Sequence, residues 1–213
     1  MKIIRRRFHA GLAALTLAVG TAVSAQEIGY VSSASGYLIH DSGGAAVTAN
    51  WSGQAPISGF TGYGAIRVNS RCLTANGPAG QPVRWENCRR GDKAQTWALS
   101  NRRLNNELGW CADVEGNRGG AGVRVVAWAC SGAVNQQFKA HPVVSAQSAA
   151  SRISDPQVRQ TFLQTAQTAR PGAAISLTTG RLVGPDGGTL IGAGGLNMIA
   201  TGNGNLIAAG GLN

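Results

Sequence analysis

Four cysteines, Cys72, Cys88, Cys111 and Cys130, divide the middle of this chain into two frames of the same order. The first runs Cys72-Leu73-Thr74, Trp85-Glu86-Asn87-Cys88 and Gln95-Thr96-Trp97; the second runs Cys111-Ala112-Asp113, Trp128-Ala129-Cys130 and Gln136-Gln137-Phe138. Thiols paired in this way can close covalent loops. In the second frame they stand beside Asp113, Trp128, Asn135 and Gln136. A carboxylate and carboxamides can hold vicinal hydroxyls while an indole covers the apolar C–H face of a pyranose. That set suits holding a sugar and leaving it intact. Cleaving a glycoside needs two carboxyl groups across the bond; only Asp113 and Glu115 lie near each other, and Glu115 falls in a glycine-rich loop where solvation is expected. No G-x-S-x-G elbow occurs, and His40-Asp41-Ser42, as adjacent residues, cannot build a triad. An enzyme is therefore not expected. Nor is a metal or cofactor: no Cys-x-x-Cys pair exists, and His40 and His141 are far from the cysteines in sequence.

Where the thiols are oxidised follows from the start of the chain. Lys2 and Arg5 to Arg7 precede a short apolar run, Ala10 to Val19 with Ala22 and Val23, and Val23-Ser24-Ala25 places small residues ahead of Gln26. Residues 1–25 fit a signal peptide. The run is too short and too rich in glycine and alanine to prefer spanning a bilayer, so no transmembrane segment is expected and the mature chain is placed outside the cytoplasm: secreted, periplasmic or at the cell surface. Export makes disulfides the default for an even cysteine count. Of the three connectivities, Cys72 with Cys88 and Cys111 with Cys130 is favoured because each closes a loop inside one frame, worth about 3 kcal/mol in the chain-entropy model.

Charge is uneven. Residues 26–213 carry 15 basic against nine acidic residues, a net of +6. All of that excess lies between residues 65 and 140, with nine arginines and two lysines against five acids. A clustered field of one sign steers oppositely charged ligands, and outside the cell these are anionic glycans or lipopolysaccharide sooner than nucleic acid. A solvated basic face that only keeps the domain soluble explains the same numbers.

The elements that must position these residues are mostly strands. From residue 174 the chain divides into eights, AISLTTGR, LVGPDGGT, LIGAGGLN, MIATGNGN and LIAAGGLN, with Ile175, Val183, Ile191, Ile199 and Ile207 at one phase. Before the cysteine frames, YVSSASGY, LIHDSGGA and AVTANWSG place Val31, Ile39 and Val47 alike. Glycine at this density excludes a helix, and β-branched residues fit a pleated strand. Asp186-Gly187, Gly194-Gly195, Gly202-Asn203 and Gly210-Gly211 are two-residue turn candidates, which predicts a meander; a β-solenoid is the competing geometry. Asp186 stands alone, so bound calcium is not expected. Both sides of Leu196 to Thr201 carry apolar residues, so these strands need cover on both faces or a second copy to pair with. Asp155 before Pro156, with Val158, Phe162, Ala166 and Ala169 at helical spacing up to Arg170-Pro171-Gly172, predicts one helix. Val143 to Ser151, rich in serine and alanine, is expected to be a linker.

The two frames resemble the ricin B-type lectin family, whose β-trefoil lobes carry a Cys-Leu-Asp opening, a Trp-x-Cys and a closing Q-x-W. The resemblance covers about residues 61–141 and implies non-catalytic carbohydrate binding. A sugar-competent lobe of that family uses the aspartate of the opening, the aromatic before the second cysteine, an Asn-Gln pair, and a glutamine two places before the aromatic. By that resemblance the second frame keeps Asp113, Trp128, Asn135 and Gln136 as a carbohydrate site, with Val126 where the glutamine is expected. The first has Thr74, Val83 and Ala94 at the corresponding places, with one extra residue between Trp85 and Cys88, and is implied to be structural. A trefoil takes three lobes, yet nothing after Phe138 supplies a third frame. Octad strands could complete it, lobes of two chains could combine, or the helix and tail could hold a two-lobe piece.

The expected architecture is mostly β. A signal peptide (1–25) and an N-terminal octad-repeat segment (26–60) precede an incomplete or divergent β-trefoil module (61–141), a linker with one short α-helix (142–173) and a glycine-rich octad segment (174–213). The expected function is exported lectin-like binding. Its alternative is a structural or assembly protein of a surface β-fibre, self-associating through the octad strands, with the lectin-like module as decoration.

Overall fold

The computed structural model describes residues 27–51, 54–170, 173–182, 197–202 and 205–208. The signal peptide, the turns Asp186-Gly187, Gly194-Gly195 and Gly210-Gly211, and the octad residues Val183 and Ile191 lie outside the described residues. The elements are β1 Ile28–Ser33, β2 Leu38–Ser42, β3 Ala45–Ala49, β4 Tyr63–Ala65, β5 Arg67–Val68, β6 Arg71–Thr74, β7 Arg84–Asn87, β8 Thr96–Ser100, β9 Arg103–Asn106, β10 Trp110–Val114, β11 Val125–Ala129, β12 Phe138–Ser145, β13 Ala174–Ser176, β14 Asn197–Gly202 and β15 Asn205–Ala208, with helices α1 Ala146–Ala150 and α2 Pro156–Thr168. The mostly β expectation is met. No helix among the described residues is long and apolar enough to cross a membrane.

Three hairpins of equivalent register make the trefoil. Leu38 opposes Ala49 in β2–β3, Cys72 opposes Glu86 in β6–β7, and Cys111 opposes Trp128 in β10–β11. Their inner ends meet one another: Ala45 pairs with Arg84, Val47 with Arg124, and Pro82 with Val126. The lobe that the cysteine frames lack is thus supplied by the N-terminal octad strands of the same chain. It was hidden because Leu38 stands where Cys72 and Cys111 stand in the other two, so packing replaces a disulfide. The β2–β3 turn needs Gly43 and Gly44, whose φ values are +60° and +102°, and Asp41 accepts from the Gly44 N–H at 2.7 Å and from Arg71 at 2.8 Å. Val31, Ile39, Phe60, Leu73, Trp85, Trp97, Ala112 and Phe138 fill one common core.

Equal octad phase does not mean an equal face. In β2–β3 Ile39 opposes Thr48, so Val47 lies on the other side of the pleat from Ile39. The C-terminal strands pair antiparallel, β13 on β14 on β15; β14–β15 joins consecutive octads as a meander does, whereas residues 183–196 between β13 and β14 lie outside the described residues. β14 ends at Gly202 and β15 starts at Asn205; Asn203 of the Gly202-Asn203 turn lies outside the described residues. Both faces are covered by the chain itself, as the mixed pattern required. Ile175, Met198, Ala200 and Leu206 pack under α1 and α2, while Ala174, Ile199 and Ile207 pack on Tyr30, Leu38 and Trp51.

Residues 143–151 are not a linker. Val143, Val144 and Ser145 extend β12 and pair with Ile207, Leu206 and Asn205, and the Ser145 hydroxyl then caps α1 by accepting from the Ser148 N–H. Because the first part of β12 pairs with β1, this one strand joins the trefoil to the C-terminal sheet. The predicted helix is α2, with Asp155 accepting from the N–H groups of Gln157 and Val158 and Pro156 in its first turn.

Candidate functional site

Both expected disulfides are formed, Cys72–Cys88 and Cys111–Cys130. The second ties the base of β10–β11 to the loop after β11, so that Asp113 on β10, Trp128 on β11 and Asn135 and Gln136 after it come to one place. Asp113, Trp128, Asn135 and Gln136 all line a cavity of about 420 Å³, together with Gly80 and Val126.

Their roles differ. Asp113 is only 6% exposed; its carboxylate accepts from Asn135 Nδ2 at 2.6 Å and from Gln136 Nε2 at 3.0 Å, leaving a further lone pair on each oxygen. Gln136 is 1% exposed. Its amide also donates to the Ala129 carbonyl at 3.0 Å and accepts from the N–H groups of Ser131 and Gly132 at 2.8 and 3.2 Å. Four internal bonds use up that side chain, so it positions Asp113 and the 131–133 turn. Asn135 is half-buried, and its Oδ1 accepts no hydrogen bond among the described residues. Trp128 is 46% exposed. Its ring lies against Gly80, where an added Cβ would stand 3.3 Å from Cζ3.

The first frame builds a similar scaffold without the aspartate, asparagine and outward indole of the second. Gln95 donates to Thr74 Oγ1 and to the Asn87 carbonyl, both at 3.0 Å, and accepts from the Arg89 N–H at 2.7 Å, matching three of the four bonds of Gln136. Trp97 is buried and donates to the Leu73 carbonyl at 2.8 Å, so Gln95 and Trp97 fix the turn and fill the core. Trp85 and Trp128 are not equivalent, which corrects their alignment. Trp85 opposes Leu73 whereas Trp128 opposes Cys111, because the extra residue before Cys88 moves the ring by one place and a shift of one flips a side chain through the pleat. Trp85 is therefore 1% exposed in the core. Glu86 takes the outward place and pairs with Arg89.

Two contributors were not read from the sequence. Gly80 comes from the neighbouring lobe and is fixed there by its N–H to the Ala127 carbonyl at 2.8 Å; a glycine in a loop gives no signal of that contact. Glu115, expected to be solvated, forms the rim of the cavity and is held by Arg124 and Arg118. The hydrogen bond from Arg124, with the charges of both guanidiniums, holds its carboxyl below the ordinary carboxylate range.

Residues 38–138 match the family model of the ricin-type β-trefoil lectin domain. The match starts at β2 and stops at Phe138, so it takes in all three hairpins, and the resemblance carried by the two cysteine frames is borne out. Among solved structures, the C-half of the earthworm R-type lectin in complex with GalNAc aligns over 54% of this chain and 98% of its own, at 18% identity and a TM-score of 0.46. The agglutinin from Abrus precatorius aligns over 59% of this chain and 55% of its own, at 16% identity and a TM-score of 0.47. A mosquitocidal holotoxin aligns over 54% of this chain at 14% identity and a TM-score of 0.46, and the chain spans 16% of that protein's length. No curated protein matches the chain.

Proposed function

We propose that the ricin-type lectin domain on residues 38–138 binds a carbohydrate without cleaving it, through one competent site in its third lobe. The observation that carries this is the contrast between two lobes built on one hydrogen-bonded frame. Asp113, Asn135 and an outward indole open onto a cavity in one, whereas Thr74, Ala94 and the ion-paired Glu86 stand in the other. The ring of a sugar stacks on Trp128, and its vicinal hydroxyls donate to the outer lone pairs of Asp113 and to Asn135 Oδ1. Gln136 holds that carboxylate in place. Val126 gives the floor no polar group, so one hydrogen bond fewer fixes the ring and affinity is modest.

Glycosidase chemistry lacks an acid here. A general acid needs a carboxyl raised toward neutral pH, and the second carboxyl in reach, Glu115, is shifted the opposite way by Arg124. Two disulfides and the leader-like residues 1–25 support action outside the cytoplasm. The basic surplus of residues 65–140 supports anionic glycans among the ligands. A surface-fibre role drew on the need to cover the octad strands, and for the described ones, β13 to β15, that cover comes from the same chain. A glycan array probed with residues 26–213 at low and high salt tests the proposal. Asp113→Asn is expected to remove retention that survives high salt; retention indifferent to Asp113, or lost wholly with salt, overturns it.

A further inference from the structure

A second, smaller cavity of about 180 Å³ adjoins the proposed sugar site. It is lined by Ser33, Ser35, Asn117, Arg118, Val134 and Asn135, and Asn135 lines both cavities. Its walls come from different lobes: the turn after β1 on one side and the loop after β10 on the other, close enough that a Cβ at Gly119 would stand 3.9 Å from Ser35 Cβ. The Ser33 and Ser35 hydroxyls lie 3.0 Å apart, and Ser33 also donates to the Tyr37 carbonyl at 3.2 Å. Ser35 then donates to Ser33 and keeps its lone pairs for a ligand. Val134, exposed, supplies an apolar wall.

The charge on this side is one-sided. Glu115 is shared by two guanidiniums: Arg124 reaches both its oxygens, and Arg118 Nη2 reaches Oε2 at 3.0 Å. One carboxylate cannot neutralise both, and the Arg118 side chain is 63% exposed with its Nη1 making no hydrogen bond among the described residues. A guanidinium with donors to spare suits a planar or tetrahedral anion.

We infer that the proposed sugar site is half of a two-residue groove, in which the second cavity takes the neighbouring residue of an oligosaccharide and sets its carboxylate or sulfate on Arg118. This rests on the carbohydrate-binding function proposed above. Asn135 is the shared post: its Nδ2 holds Asp113 on the first side, and the same residue walls the second. Discrimination thus lies in the residue next to the terminal sugar, because Ser35 and Arg118 are the polar groups that only a longer, acidic glycan reaches.

The test is an array of matched glycans. Each terminal sugar is presented alone, in a neutral disaccharide, and in the same linkage on a uronic acid, with galactose, lactose and the lactose analogue whose glucose is replaced by glucuronic acid as one such set. Wild-type protein is compared with Arg118→Gln and Ser35→Tyr, both changes at exposed positions. The expected result is about tenfold tighter half-saturation for the acidic member than for its monosaccharide. Arg118→Gln removes the preference for acid over neutral, Ser35→Tyr removes the gain of both longer glycans, and monosaccharide binding is unchanged in each. Equal affinity for all three members of a set, or variants that weaken the monosaccharide as much as the acidic glycan, overturns the second subsite and leaves the first standing. Absence of binding to every glycan at high salt overturns both.

Discussion

The three bonds of Gln95 recur among the four of Gln136, so the glutamine of the closing motif does not by itself mark a sugar site. What separates the lobes is the residue each glutamine holds, the residue before it, and which residue opposes the first cysteine: Thr74, Ala94 and Glu86 against Asp113, Asn135 and Trp128. Asp113 and Asn135 were legible because their offsets from the cysteines survive. The mismatch of Trp85 and Trp128 was not, since one inserted residue looks trivial in a string of letters and turns a ring from surface to core on a strand. Separate roles give separate outcomes. Trp128→Ala is expected to abolish glycan retention with unfolding free energy unchanged to about 0.5 kcal/mol, as for an exposed side chain. Gln136→Ala is expected to lose retention and to cost about 1–3 kcal/mol, because it removes four hydrogen bonds and leaves the buried Asp113 carboxylate short of a partner. Denaturant titration alongside the array separates the two; a destabilised Trp128→Ala or a fully stable Gln136→Ala would reverse the assignment of contact and support.

At the scale of elements, sequence succeeded where a signal is local. The cap and proline of α2 and the spacing of Cys111 and Cys130 are each decided within a short stretch of chain. It failed where a partner arrives from far along the chain. Val143 and Val144 sit in a serine- and alanine-rich stretch that suggests a linker, and become strand only through Leu206 and Ile207. Likewise β2–β3 shares no cysteine or tryptophan motif with the other two hairpins and is recognisable by where it docks. One such long-range contact can be tested at a glycine. The turn after β13 passes so close beneath α2 that a Cβ on Gly180, whose φ is +70°, would stand 2.6 Å from the Val158 carbonyl oxygen and 2.7 Å from the Phe162 nitrogen. Gly132, with φ +74°, has nothing within 4 Å of such a Cβ. Gly180→Ala is expected to cost about 3 kcal/mol or more through backbone displacement, and Gly132→Ala about 1–2 kcal/mol from left-handed strain alone. Similar melting temperatures for the two variants would show that α2 does not rest on that turn.

Across the whole molecule, two hydrophobic bodies share one strand. The trefoil has its own core and two disulfides, whereas the C-terminal sheet and helices have neither a disulfide nor a core complete without β12. The octad strands fill the space between: one face closes over Phe162 and Ala166, the other over Tyr30 and Trp51. Removing residues 171–213 therefore uncovers apolar surface on both bodies at once. The truncated protein is expected to lose the helical signal of α1 and α2, because a helix of this length holds through packing of its apolar face and not through propensity. It is also expected to melt at lower temperature and to self-associate through the bared ring of Trp51 and the edge of β12. Glycan retention at low temperature should survive, since Asp113, Trp128 and Asn135 are held by β10, β11 and the Cys111–Cys130 bridge, and the cavity they line takes no described residue of the deleted segment. Circular dichroism, light scattering and array binding on the same preparation check all three. Retained helicity with an unchanged melting point would show the tail to be a passive appendage, and loss of retention together with stability would show that the two bodies fold as one.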